Sequence, residues 1–356
     1  MIKKTCLPIL LLIGCLIGSQ VIQASIDWTP SQGYKISGDT SSVFIGDPAE
    51  FDELVSTMNE ARELQERGKY IPAIRRYKRV VKRNPGSVFA PEAIFQVGEC
   101  EYQRTRFRKA FDAYTSVIIN YPDYENYGKV ISRQFEIAND LYEGKRARYF
   151  GFIPGFKGYD RAILMFETMV RNAPYSEYAP MALMKVAELH LKANDDYYAI
   201  DALDRLINNY SDNMLVADAY LLLAQTFAKL VDGPYYDQGA TREAISYFKD
   251  FMILYPNHPR IAEAEAGLAA MKSIEAQSKM VKGDFYFYKW KDLRAARVFY
   301  NEAITVAPES PEAEEARQQL AIIDERMEER ADEYRDTAVP NSAREGVEDP
   351  DKAQPL

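Results

Sequence analysis

In six places along the chain a small residue is followed four positions later by an aromatic residue or leucine, and twelve positions later by a helix-breaking residue. The sets are Ala73–Tyr77–Pro85, Ala110–Tyr114–Pro122, Ala162–Phe166–Pro174, Ala199–Leu203–Ser211, Ala244–Phe248–Pro256 and Ala296–Tyr300–Pro308. Only the fourth lacks the proline. Residues four apart share one face of a helix, so each pair places a small side chain where a second helix can approach and a large one beside it to fill the contact. Proline has no N–H to give and clashes with the preceding turn, which ends each helix. A chain built this way must stack helices, because no single unit of this size buries its apolar face alone.

The partner helices carry a second spacing. Ala61, Gly98 and Ala187 each precede a repeat alanine (Ala73, Ala110, Ala199) by twelve residues. Two helices with small residues at that separation form a tetratricopeptide (TPR) unit. The spacing predicts an all-α TPR solenoid of about six helix-turn-helix repeats plus a C-terminal capping helix. Second helices fall at 70–83, 107–120, 159–172, 196–209, 241–254 and 293–306, with no regular sheet, and Ala73, Ala110, Ala162, Ala199, Ala244 and Ala296 are placed at the helix–helix contacts. Helices begin near Pro48, where Asp47 can cap and proline suits the first turn. Three repeats carry inserts: 144–158 (GKRARYFGFIPGFKG), 232–239 (DGPYYDQG), and a long first helix at about 258–281 that ends before Gly283 and the aromatic run 285–290 (FYFYKW). Residues 311–334 read as a polar closing helix and 336–356 as an acidic disordered tail. The expected organisation is a signal peptide (1–24), an extended leader (25–47), an N-terminal module (48–150), a C-terminal module (151–335) and the tail.

Residues 1–24 have the character of an export signal: Lys3 and Lys4, an apolar run, then small and polar residues. Two processing routes are open. Leu12-Ile13-Gly14-Cys15 would make Cys15 a lipidated N-terminus, whereas ordinary cleavage between Ala24 and Ser25 would remove it. Either route leaves Cys100 as the one ordinary mature cysteine, read as a buried small apolar group. The net charge is −9, and losing Lys3 and Lys4 makes the mature chain more acidic. That balance argues against nucleic acid or an anionic membrane surface as the main partner.

A search for chemistry finds none of the usual constellations. His190 lies within a helix beside leucines and reads as packed; His258 follows Pro256 and reads as a solvated turn residue. There is no phosphate loop, zinc-hydrolase motif or nucleophile elbow. No catalytic residue, cofactor or metal is expected. The aromatic insert 144–158 has two readings: a partner-binding loop using Tyr149, Phe152 and Phe156, or packing that fills a gap between modules. Glu99, Tyr102 and Gln103 are candidates for a client groove on the first helices, where an extended strand could bind.

From residue 158 onward the chain resembles the D subunit family of the outer-membrane β-barrel assembly machine (BamD). Three stretches carry the likeness: 158–182 (GYDRAILMFETMVRNAPYSEYAPMA), 237–256 (DQGATREAISYFKDFMILYP), and 271–308 with its long helix, aromatic segment and final repeat. The resemblance implies a non-enzymatic periplasmic scaffold, peripheral to the outer membrane and lipid-anchored where Cys15 is used. Its partners would be the barrel subunit and unfolded outer-membrane proteins. Two departures stand out. Repeats one and two have no counterpart in the shorter family members. The position of an arginine that the family turns toward the barrel subunit holds Phe299 here, with Arg297 nearby on another face. A different periplasmic TPR adaptor, coordinating cell-wall or envelope complexes, is the alternative.

Overall fold

The computed structural model describes residues 25–37, 48–146, 148–149, 153–154 and 158–338. Twelve helices follow one another: α1 (Pro48–Glu66) packs with α2 (Tyr70–Arg83) and α3 (Phe89–Gln103) with α4 (Phe107–Asn120); α5 (Tyr127–Tyr142) and α6 (Tyr159–Asn172) stand on either side of the 144–158 insert in sequence; then α7 (Tyr178–Ala193) packs with α8 (Asp196–Asn209), α9 (Leu215–Lys229) with α10 (Gly239–Leu254), and α11 (Ile261–Asp284) with α12 (Leu293–Val306). A last helix, α13 (Pro311–Ala338), packs on α12 and α11. The fold is an all-α array of TPR units, and five of the six second helices begin and end where the spacing places them. The fifth starts two residues early, at Gly239. The six repeat alanines are fully buried.

The expectation of no sheet is corrected at two places, both outside the helical pairs. Residues 25–47, read as an extended leader, contain an antiparallel hairpin of β1 (Ser25–Thr29) and β2 (Gly33–Ser37). Tyr34 is buried in the cluster that α1, α2 and α3 share, and Ile26 and Trp28 pack against it. The Tyr34 backbone N–H donates to Asn59 Oδ1 at 2.8 Å, and Arg62 lies over the Trp28 ring at 4.2 Å. The insert before α6 contains a second, minimal hairpin, β3 (Arg148–Tyr149) with β4 (Ile153–Pro154).

The chain divides into two compact units, Met1–Arg161 and Ala162–Leu356. One contact rule recurs in both. At three helix–helix contacts a glycine stands where the facing aromatic ring lies so close that a Cβ would reach within 2.3–2.5 Å of it: within a pair, Gly98 under Tyr114 and Gly283 under Tyr300, and between α11 and α10, Gly267 under Phe248. The residue that follows this position decides where the tyrosine hydroxyl goes. Over glycine it reaches the next residue's carboxylate, Tyr114 to Glu99 at 2.5 Å and Tyr300 to Asp284 at 2.7 Å. After Ala61 comes Arg62, which offers no carboxylate, and Tyr77 donates to Gln65, at 2.8 Å.

The long helix of the sixth repeat does not stop before Gly283. It runs to Asp284 and continues through a π-helical turn, Phe285–Trp290. The wider turn takes up one extra residue: Gly98 and Tyr114 are sixteen apart, Gly283 and Tyr300 seventeen, yet the ring–glycine contact is the same. Such turns mark a single-residue insertion in an α-helix.

Candidate interaction surfaces

Within the N-terminal unit, the predicted groove residues lie in a polar network. Glu99 accepts from Arg133 Nε at 2.7 Å and Nη2 at 2.5 Å, as well as from Tyr114. The Arg133 guanidinium stacks over Tyr102 at 5.0 Å, and the Tyr102 hydroxyl donates to Asp140 Oδ2 at 2.9 Å. Lys145 completes the set on Asp140 Oδ1. The Glu99 carboxylate holds the Arg133 cation more firmly in its charged form, and burial, with Glu99 beside it, pushes the Tyr114 hydroxyl far above its ordinary value. Glu99 and Tyr102 thus join α3 to α5. Gln103, the last residue of α3, is exposed.

A concavity of about 440 Å³ lies between the turns after α2 and α4 and is bordered by Ile26 of the hairpin. Glu92 lines it and accepts from Gln96 at 2.8 Å, from Tyr34 at 3.4 Å and from Tyr124. All three donors are neutral groups, and they fix the carboxylate between the hairpin and the α4–α5 turn.

In the C-terminal unit, exposed aromatics gather at corresponding ends of two repeats. Tyr197 and Tyr198 open α8, and Tyr235 and Tyr236 lie in the insert before α10; all four are exposed. Lys229, ending α9, reaches back to Asp196 at 2.7 Å and Asn194 at 3.3 Å, which brings the two connections side by side. The insert of repeat five thus adds two exposed tyrosines to the two that open α8. Tyrosine supplies contact area to a protein partner at low entropic cost.

Arg297 lies on α12, half-exposed, 3.4 Å from Asp324 of α13, and it borders a shallow groove with Val298 and Lys279. Phe299 stacks on Tyr286 at 5.4 Å and belongs to the packing of the π-helical turn. The backbone of Tyr149 pairs in β3, while Phe152 and Phe156, like Cys15 and Ala24, lie outside the described residues. Ser25 opens β1.

His190 is packed, its ring stacked on Tyr198 at 5.2 Å. His258 differs from expectation: it packs edge-on against Phe251 at 5.2 Å and accepts the Arg260 backbone N–H at 3.3 Å, because the turn folds back on α10. Cys100 is buried and free. Among the described residues no group of three potential ligands could hold a metal ion, and no helix is long and apolar enough to cross a membrane.

The family model described as an outer membrane lipoprotein, YfiO, matches residues 156–337, and a tetratricopeptide-repeat model matches 92–124. The outer membrane protein assembly factor BamD of Caulobacter vibrioides is 26% identical over 137 residues, covering 38% of this chain and 45% of that protein. The BamD of Rickettsia prowazekii is 28% identical over 144 residues, covering 40% of this chain and 57% of that protein. The chain thus spans about half the length of the curated relatives it matches. Among solved structures, the crystal structure of YrrB, a TPR protein with an unusual peptide-binding site, shares 14% identity over 68% of this chain and 97% of that one. Its TM-score of 0.31 carries no argument about function.

Proposed function

Because this chain belongs to the YfiO family of outer membrane lipoproteins, we propose that it is a non-enzymatic scaffold in the assembly of outer membrane proteins. Its C-terminal repeats dock a protein subunit of that machinery, the β-barrel subunit or an unfolded outer-membrane protein. One observation carries the reading: the family match runs from the start of α6 to near the end of α13, so it takes in the last three helical pairs and the closing helix rather than a single motif. The exposed tyrosine edge at Tyr197, Tyr198, Tyr235 and Tyr236 supports a protein partner on that part of the chain. Arg297 and its groove are a second contact candidate. The N-terminal repeats, which precede the matched region, form a separate binding module.

The scaffold works at the periplasmic side of the outer membrane after export through residues 1–24. Intact-mass measurement of the mature protein distinguishes the routes: a chain beginning at Ser25, or a lipidated Cys15. A mature chain that retains Met1 refutes export. The functional reading is tested by affinity capture of the tagged full chain from detergent-solubilised envelopes, followed by mass spectrometry. Co-purification of a β-barrel assembly component is the expected result. If the full chain is recovered and no such component accompanies it, the reading fails.

A further inference from the structure

The acidity of the whole chain conceals a local reversal. Helix α2 carries six basic side chains and no acidic one (YIPAIRRYKRVVKR) in a protein of net charge −9. Two of them are neutralised, Arg76 by Glu60 and Arg83 by Glu53. The others, Arg75, Lys78, Arg79 and Lys82, are exposed on one face, and among the described residues none meets a carboxylate. Lys78 and Lys82 stand over a groove of about 570 Å³ between α2, α3 and α4. Lys109, in the first turn of α4, lies on its opposite side, and the floor is apolar: Val81, Ile94, Val97 and Ala113. Glu101 also lines it but is held by Arg104 at 3.1 Å, and the exposed Asp112 stands 3.9 Å from Arg108, a loose surface contact. Three lysines thus face one loosely held carboxylate, and the rim keeps an excess of positive charge.

We infer that this groove binds an extended peptide segment whose acidic side chains flank an apolar one. The charge selects the acidic groups, since ammonium groups at the rim can meet carboxylates while keeping much of their hydration. The concavity selects a peptide over a bilayer: a flat membrane surface could reach the lysines but not the apolar floor, whereas a side chain can enter it. The groove lies in the N-terminal unit, before the family match begins, and does not depend on the docking role of the C-terminal repeats.

The test uses the full chain and a fluorescein-labelled short peptide alternating aspartate and leucine, followed by anisotropy. Its counterpart with asparagine for aspartate is the control. The acidic peptide should bind, more weakly as salt rises, and the asparagine peptide about tenfold less well or not at all. The triple variant K78Q/K82Q/K109Q should lose about tenfold, the combined worth of three exposed ion pairs. K109E alone, at an exposed position, should weaken binding measurably and serves if the triple variant does not fold. Circular dichroism checks the fold of each. Equal binding of both peptides, unchanged affinity in a folded variant, or no binding of the acidic peptide overturns the proposal. Phosphatidylglycerol vesicles complete the set: lysine-dependent binding of vesicles without binding of the peptide would make the groove a membrane contact and refute a peptide partner.

Discussion

Replacing Gly98 with alanine adds one methyl group, and the geometry specifies what that group meets. An ideal Cβ would lie 2.3 Å from Cε1 of Tyr114, 2.8 Å from Cδ1 and 2.9 Å from Cζ. The ring is fully buried and packs on Phe95 at 5.5 Å, so it has no free space to retreat into. If the ring moves to clear the methyl group, its hydroxyl is drawn away from Glu99, and the next polar group along the helix face, Tyr102, is already committed to Asp140. Overpacking costs about 1–3 kcal/mol, and losing a hydrogen bond to a charged group about 1.5–3 kcal/mol. Alanine returns about 0.5–1 kcal/mol by favouring the helix. The net loss should be about 1.5–5.5 kcal/mol of N-terminal-unit stability. Trp28 and Trp290 fall in different units, so urea unfolding followed by Trp28 fluorescence in a W290F background reports on this unit alone. Gly128, also helical, has no atom near its would-be Cβ, and G128A should leave stability unchanged or raise it by up to about 1 kcal/mol. If G98A is as stable as the parent, the close contact does not govern this interface.

Burial, then the neighbouring Glu99 and Glu101, push the Cys100 thiol up to about 12. Cys100 should therefore resist alkylation at pH 8 in the folded protein and react at the unfolded rate in urea. The same shift sets a pH dependence: the folded state keeps the thiol protonated where the unfolded state, near 9, releases it. This contribution is whole below pH 9 and is lost as pH rises toward 12; buried Tyr77 and Tyr114, also raised by desolvation, act in the same direction. Alkaline denaturation monitored at Trp28 should show falling stability above pH 9, and a flat profile would contradict it. Tyr121 donates to the Pro85 carbonyl at 2.8 Å and Tyr210 to the Pro174 carbonyl at 2.7 Å, the same bond at a separation of 36 residues. Y121F and Y210F should each cost about 0.5–1.5 kcal/mol in their own unit, and clearly unequal losses in urea melts would deny the equivalence. Arg205 clasps Glu167 with two bonds, 2.8 and 2.9 Å, across α8 and α6. Because both groups are about one-third exposed, R205M should cost only about 1 kcal/mol, measured by the Trp290 signal.

The second helices were legible because their information is local: a small residue, a large one four positions on, and a stop. What was missed depends on pairing across distance or on averages. The hairpin at 25–37 does alternate, with Ile26 and Trp28 on one strand and Tyr34 and Ile36 on the other, around a turn where Gly33 takes φ 71°. Serine- and glycine-rich composition outweighed that short alternation. Glu99 read as a free polar group because Arg133 lies 34 residues away, and no local pattern announces such a partner. The net charge concealed the basic face of α2. The π-helical turn left no mark except a spacing one residue too long.

The hairpin's position has a consequence for association. In stacked repeats the outer face of the first helix is a template for another helix, so an uncovered one invites a second chain. Here Tyr34, Ile26 and Trp28 occupy the apolar cluster that includes Leu54, Met58 and Ala61 of α1, with a strand in place of the helix that would otherwise precede it. A chain lacking residues 25–37 would lose that cover, and its apparent mass should rise with concentration as exposed first helices meet end to end. An unchanged mass at every concentration would mean that the hairpin's apolar side chains steady α1 without shielding it from a second chain.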